Sequence, residues 1–208
     1  MSQSMEQLPG LPPAAFDKAD PSPDAAFYVE PRFVTHIDDA AIATVTRVYR
    51  ERLPPGGTML DLMSSWVSHL PEDRVYASVV GHGMNEEELA ANPRLSRWFV
   101  QDLNIEPALP LADSEFDGAC LCVSVQYLQR PVDVFREVRR VLRPDAPFVV
   151  SFSNRCFPTK AVAIWQACSG PDQQRLVAAY MQAAGFTRIA EQAVMPQRSD
   201  PLWIVIGS

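Results

Sequence analysis

Several residues in this chain are of types that do chemistry. In "LDLMSSWVSHLP", residues 60–71, the acid Asp61 lies in an apolar run, and the hydroxyls of Ser64 and Ser65 follow. Carboxylate and hydroxyl together can accept from and donate to a polar ligand. In "FYVEPRFVTHIDD" a phenol, a guanidinium and an imidazole come close together as Tyr28, Arg32 and His36. Imidazole changes charge near neutrality, so His36 is either a general base or a plain helix-terminal or surface histidine. Tyr127 adds a second phenol, and "SNRCFPTK" supplies Asn154, Arg155 and Lys160. The two cations there either recognise an acidic small molecule or are solvated loop charges. Cys156 stands beside Arg155, and a neighbouring cation lowers a thiol's pKa, a hint of thiol or metalloid chemistry.

Other chemistries are disfavoured by what the spacing lacks. His69 and His82 form no metal set with nearby acids or thiols. No G-x-S-x-G elbow and no P-loop occurs, which argues against hydrolases and nucleotide triphosphatases. The net charge is -7 and the pI near 4.9. Basic residues are scattered, apart from Arg136, Arg139, Arg140 and Arg143 at helical spacing. Nucleic acid and anionic membrane are therefore not the expected partners, and the oligomeric state is left open. No apolar run reaches the length of a membrane span, and the first residues lack a signal-peptide pattern, so a cytoplasmic protein is expected. The four cysteines match no zinc or disulfide framework and read as ordinary thiols.

These residues need elements to position them. Residues 1–25, with five prolines from Pro9 to Pro23, read as a flexible Pro-rich arm. Residues 26–208 read as one domain, with a helical lid over 26–53. Ile42, Val45, Tyr49 and Leu53 share a helical face that "PPGG" ends. "TMLDLM", "RVYASVVG", "RWFVQDL", "FDGACLCVSV" and "PFVVSFSN" read as five strands, with a helical turn around Val67–Leu70 after the first. "NEEELAANPRL" is a helix capped by Asn85, with Glu88 placed as in a capping box. "VDVFREVRRVL" is an amphipathic helix, "QQRLVAAYMQAAG" another, and "FTRIAEQAVM" and "PLWIVIGS" close the chain as strands. This alternation predicts a three-layer α/β/α, doubly wound, seven-stranded, mainly parallel sheet. The last two strands have no helix between them, so the last is antiparallel.

With "LPLADSEFDGACLCVSVQYLQRPVDVFREVRRVLRPDAPFVVSFSN", residues 109–154, this order resembles the class I S-adenosylmethionine-dependent methyltransferases of the type 11 kind, over roughly residues 38–208. The resemblance implies S-adenosylmethionine as cofactor and methyl transfer to a small molecule, or a catalytically silent relative acting as a binding or regulatory module. The family pattern hhDhGxGxG falls on "MLDLMSSWV": Asp61 matches the acid, while Met63, Ser65 and Val67 stand at the glycine positions. Asp61 would then lie near the methionine ammonium, or only tie the loop to the backbone. Ser64 and Ser65 would add side-chain contacts, and the following helix N-terminus would favour the ligand carboxylate. After the second strand Gly83 replaces the ribose acid, with Met84 and Asn85 beyond it; Asn85 either meets a hydroxyl or only caps its helix. In "QDLN", Asp102 matches the acid that meets the adenine amino group, or is a loop cap, and Leu103 offers its N–H. Ser124 belongs to the wall near the sulfur. His36 and Tyr127 are the catalytic candidates; Tyr28, Arg32, Asn154, Arg155 and Lys160 are the substrate candidates.

Overall fold

A computed structural model describes residues 8–208 of the chain. Its seven strands are β1 (Thr58–Leu62), β2 (Ser78–Gly83), β3 (Arg97–Val100), β4 (Gly118–Cys122), β5 (Phe148–Phe152), β6 (Ile189–Val194) and β7 (Leu202–Gly207). They form one sheet in the order β3-β2-β1-β4-β5-β7-β6. All pairs are parallel except those of β7 with β5 and β6, as the missing crossover requires.

The helices are α1 (Asp24–Phe27), α2 (Asp39–Arg52), α3 (Glu86–Ala91), α4 (Pro131–Val141), α5 (Ala163–Ala167) and α6 (Gly170–Ala183). One face of the sheet packs Met59, Val79, Cys120, Val149 and Ile204 against Val45, Val48 and Tyr49 of α2. The other face packs Leu60, Leu121, Phe148, Val150 and Val205 against Val134, Phe135 and Val138 of α4 and Val177, Tyr180 and Met181 of α6. The α4 pattern puts its valines and Phe135 on this buried face, and the side chains of Arg136 and Arg140 instead meet Asp133 and Glu137 one turn back. Asp38 caps α2 by accepting from the Ala41 N–H at 2.9 Å. Gly185, at φ 94°, ends the chain segment after α6.

Several expectations are corrected. The helical lid over 26–53 is not one unit: α2 is a core helix, and only the segment before it lies over the site. The arm over 1–25 is, from Leu8 onward, seated on the domain; residues 1–7 lie outside the described part. Its few apolar residues do pack, with Leu8 and Phe16 against the core and Ala15 buried, and polar groups tie the rest. Asp17 accepts from the Ala163 N–H at 2.8 Å, and Lys18 pairs with Val162 in an antiparallel bridge. The Lys160 ammonium is fully buried beneath it, 3.1 Å from Asp20 and 3.5 Å from Asp24, and also donates to the Ser22 carbonyl at 2.7 Å.

The strand expected from Arg74 begins at Ser78, because Val75 and Ala77 bond to Gly56 and Gly57 of the preceding turn rather than to β1. The helical turn around Val67–Leu70 is absent. Serines that bond locally and Pro71, which disfavours a helical residue before it, make that stretch a poor helix. Phe135 is fully buried, edge-on to Phe148 at 5.0 Å. Phe135→Ala is expected to cost about 3–5 kcal/mol, read as a lowered urea midpoint at unchanged m.

Candidate functional site

A cavity of about 350 Å³ opens at the C-terminal ends of β1 to β5, where open parallel sheets place their ligands. Its walls are the loop after β1, the ends of β2 and β3, the turn after β4, the loop after β5 and a strap that runs from α1 to His36.

The loop after β1 has neither glycines nor a following helix, yet it is held along its length. His82 on β2 is the main tie. Its Nδ1 accepts from the Met63 N–H at 3.1 Å, its own carbonyl accepts from the Ser64 N–H at 2.6 Å, and its Nε2 meets the Gln101 carbonyl at 2.9 Å. Both ring nitrogens are thereby used, which fixes the Nε2–H tautomer. Burial lowers its pKa to about 4, so the ring is neutral. Asn92 donates to the Ser65 carbonyl at 2.8 Å and to Ser68 Oγ at 2.9 Å. Trp66 donates its indole N–H to the Val34 carbonyl at 3.0 Å and sets its ring against Phe33, so it ties the strap to the loop.

Of the three glycine-equivalent positions only Met63, at φ 53°, takes a left-handed backbone; for a non-glycine residue that costs about 1–2 kcal/mol. Val67 avoids it and lines the cavity instead. Just after β4 the β-branched Val123 is left-handed too, at φ 45°. Ser124 links the two corners, donating to the Cys122 carbonyl at 2.8 Å and approaching the Met63 carbonyl at 3.2 Å. Strain of this kind persists only where the surroundings over-determine it, typically at ligand sites.

Asp61 is buried in this wall, at 3% exposure. It accepts from Ser64 Oγ at 2.6 Å, and burial lifts its pKa to about 6 against the hydrogen bonds that lower it. Gly83 has no side chain because there is no room for one: a Cβ would sit 2.6 Å from the Ser64 carbonyl. What approaches the Gly83 backbone is therefore the protein's own loop, not a ligand ribose. Asn85 caps α3 by accepting from the Glu88 N–H at 3.0 Å, and its amide donates to the Tyr28 and Val29 carbonyls. The capping-box return from Glu88 is diverted: its buried carboxylate accepts from the Arg32 N–H at 2.7 Å. Asp102 caps its loop through Oδ1, which accepts from the Asn104 N–H at 2.9 Å, and still lines the cavity.

On the strap, the Arg32 guanidinium lies 4.5 Å from the Phe27 ring centre and 5.6 Å from that of Phe157. His36 packs edge-on to Phe157 at 5.5 Å, and burial, helped by Arg32, lowers its pKa. Tyr127 accepts from the Phe157 N–H at 2.9 Å, and burial pushes its phenol up to about 12; Tyr28 is raised by burial as well.

Thirteen other sequence candidates join Arg155 and Ser65 around the cavity: Tyr28, Arg32, His36, Asp61, Met63, Ser64, Gly83, Met84, Asn85, Asp102, Leu103, Ser124 and Tyr127. Asn154 and Lys160 do not: Asn154 is exposed beside Ser153, and Lys160 serves the buried ion network under the strap. Arg155 donates to Asp200 at 2.8 Å rather than floating free. Cys156 has its pKa raised by burial, not lowered by Arg155. The helix N-terminus expected after β1 does not exist. Sequence reasoning missed Asp24, Glu88, Asn104, His82 and Phe157 as site residues. The capping motif had accounted for Glu88, and Asp24 stood in the presumed arm.

Residues 63–150 match the family model described as a methyltransferase domain. Over 129 residues, 59% of this chain, the sequence is 26% identical to the biotin biosynthesis bifunctional protein BioHC of Teredinibacter turnerae, and the match spans 21% of that protein. The chain thus spans about a fifth of the length of this curated relative. Among solved structures, a SAM-dependent methyltransferase from Aquifex aeolicus superposes with a TM-score of 0.56 at 17% identity, covering 82% of this chain and 97% of that one. The cyclase SpnF superposes with a TM-score of 0.63 at 18% identity, covering 86% and 84%. The domain match is confined to residues 63–150, and the fold of the chain is the one these SAM-dependent methyltransferase structures share.

Two outcomes follow for the loop. His82→Ala leaves the Met63 N–H and the Gln101 carbonyl without partners and opens a void, so it is expected to cost about 2–4 kcal/mol in urea unfolding. Asp61 has a folded pKa raised above its unfolded value, so the folded state binds the extra proton and stability falls as pH rises from about 4 through 6. Asp61→Asn should remove that loss, worth on the order of 2–3 kcal/mol at pH 7, so its stability relative to the parent should grow between pH 4 and 7; a pH-independent difference would contradict it.

Proposed function

We propose that the chain is an S-adenosylmethionine-dependent methyltransferase that methylates a small molecule held under the strap. The observation that carries this reading is a buried carboxylate, Asp61, set in the wall of a cavity of ligand size together with the acid at the end of β3. The residues present fit the cofactor in volume and in charge: about 350 Å³ lies within the range of small-molecule sites, and Asp61 offers a negative charge that a cationic ligand would relieve of its burial cost. When bound, the cofactor would supply a methyl group activated by its positively charged sulfur.

In this reading Asp61 holds the ammonium end, and Ser64, Ser65 and Met63 frame it. Asp102 keeps one oxygen for an adenine amino group while the other caps the loop, and Leu103 flanks the ring. Met84 passes along the ribose, Gly83 gives room to the loop after β1, Ser124 stands by the sulfur, and Asn85 acts through the strap it holds. Holding two reactants in register is worth up to roughly 7–11 kcal/mol of the barrier, so orientation is the protein's main contribution. For an acceptor that carries a proton, His36 is the base: its lowered pKa keeps the ring neutral and able to accept at pH 7. Tyr127, with its phenol held at high pKa, orients rather than titrates. The four unpaired cysteines support a reducing, cytoplasmic setting.

A second reading, a silent member of the fold that only binds a ligand, draws on the lost helix after β1. Both readings predict binding; only the first predicts turnover of the methyl group. S-adenosylhomocysteine at about a hundred times its dissociation constant should stabilise the fold by roughly 2.7 kcal/mol, or about 5–10 °C in melting temperature. Asp102→Ala should reduce that shift. Affinity should rise as pH increases through about 6, because Asp61 must be ionised to meet the ammonium. The absence of any thermal shift at millimolar ligand would end both cofactor-based readings.

A further inference from the structure

Arg32 is anchored with unusual completeness for a strap residue. Its backbone N–H donates to Glu88, its Nη2 donates to the Phe27 carbonyl at 2.8 Å, and the rings of Phe27, Tyr28 and Phe157 surround its guanidinium within 5.7 Å. Yet its Nη1 is buried with no hydrogen-bond partner, and no carboxylate lies within salt-bridge distance among the described residues. A buried charged donor without a partner is costly.

The other arginine on the cavity wall, Arg155, is already engaged by Asp200. The loop after β1 supplies no helix N-terminus, so an anionic ligand group finds no dipole there to receive it. Among the described residues Arg32 is thus the cation on the cavity wall whose guanidinium makes no ion pair; Glu88, whose carboxylate meets its backbone N–H, acts on it only through space.

We propose that Arg32 is the anion-binding point of this cavity and that its Nη1 receives a ligand carboxylate. This rests on the cavity being the ligand site described above. The carboxylate can belong to the amino-acid end of the cofactor or to the methyl acceptor, and the chemistry of recognition is the same: a planar guanidinium against a planar carboxylate, shielded by aromatic rings.

The test uses the full chain and the variants Arg32→Met and Arg32→Lys, each first checked for an unchanged melting transition. S-adenosylhomocysteine and 5′-methylthioadenosine, which lacks the amino-acid end, are titrated by calorimetry at low salt. Protein saturated with 5′-methylthioadenosine, or without it, is then titrated with succinate and with octanoate. If Arg32 holds the cofactor's carboxylate, Arg32→Met lowers affinity for S-adenosylhomocysteine about 10- to 100-fold and leaves 5′-methylthioadenosine unchanged, with Arg32→Lys between. If it holds the acceptor's, both nucleosides bind as before while succinate or octanoate binding is lost. Parent-like binding of all four probes by a folded Arg32→Met overturns the proposal. A parent protein that binds neither nucleoside refutes the methyltransferase reading separately, and the carboxylate titrations still decide on Arg32. Should Arg32→Met not fold, Arg32→Lys carries the comparison: a lost fork with a kept charge must still weaken the carboxylate probe by several-fold, and unchanged affinity overturns the proposal.

Discussion

His82 spans three strand ends with one ring. From β2 it receives the Met63 N–H after β1 and meets the Gln101 carbonyl after β3, and it can do so only as a neutral imidazole. Burial keeps it neutral, which means the clamp weakens in acid: a histidine with a lowered folded pKa stabilises above its unfolded value near 6.5 and loses that contribution as pH falls toward about 4. Everything else about the loop after β1 depends on this tie. With its first two amides fixed, Met63 can be left-handed, Ser64 can lean on Gly83, and Asp61 can stay in the wall with Ser64 as its hydroxyl partner.

The arrangement replaces one way of building a ligand loop with another. A glycine-rich loop before a helix presents backbone amides through conformational freedom. Here His82 of β2, Asn92 just after α3 and the Val34 carbonyl of the strap hold the loop instead, and two strained corners, at Met63 and Val123, are bridged by Ser124. The strap is equally fixed, from below by Lys160 with Asp20 and Asp24, and from the side by Asn85, Glu88 and Trp66. A buried ammonium of this kind is not chiefly a source of stability; its consequence is that Asp24, Tyr28 and Arg32 stand at set positions on the cavity wall.

The sheet was legible in the sequence because its signals are local and redundant. The continuous apolar run of β4, the amphipathic face of α4 and the helix-free step from β6 to β7 each point to one architecture. Two features were not legible, for one shared reason. The missing helix after β1 and the seated N-terminal segment both depend on polar partners far away in the chain: Asn92 and His82 for the loop, Thr159, Lys160 and Ala163 for the segment. Periodicity and proline content carry no trace of such pairings. At the site, Asp61, Ser64 and Asp102 were readable because they flank strands at the sheet's carboxyl end. Lys160 was misread because a loop lysine looks solvated until its buried acids are known, and Glu88 because a capping motif already explained it.

In the proposed function the glycine-free loop is a pre-built wall of a ligand site. A crystal structure of the chain with S-adenosylhomocysteine tests it most directly. The ligand is expected inside the cavity, its adenine beside Asp102 and Leu103 and its amino-acid end near Asp61, with Met63 still left-handed and still bonded to His82. A ligand bound elsewhere, or a loop that must leave His82 and refold to admit it, would contradict the claim.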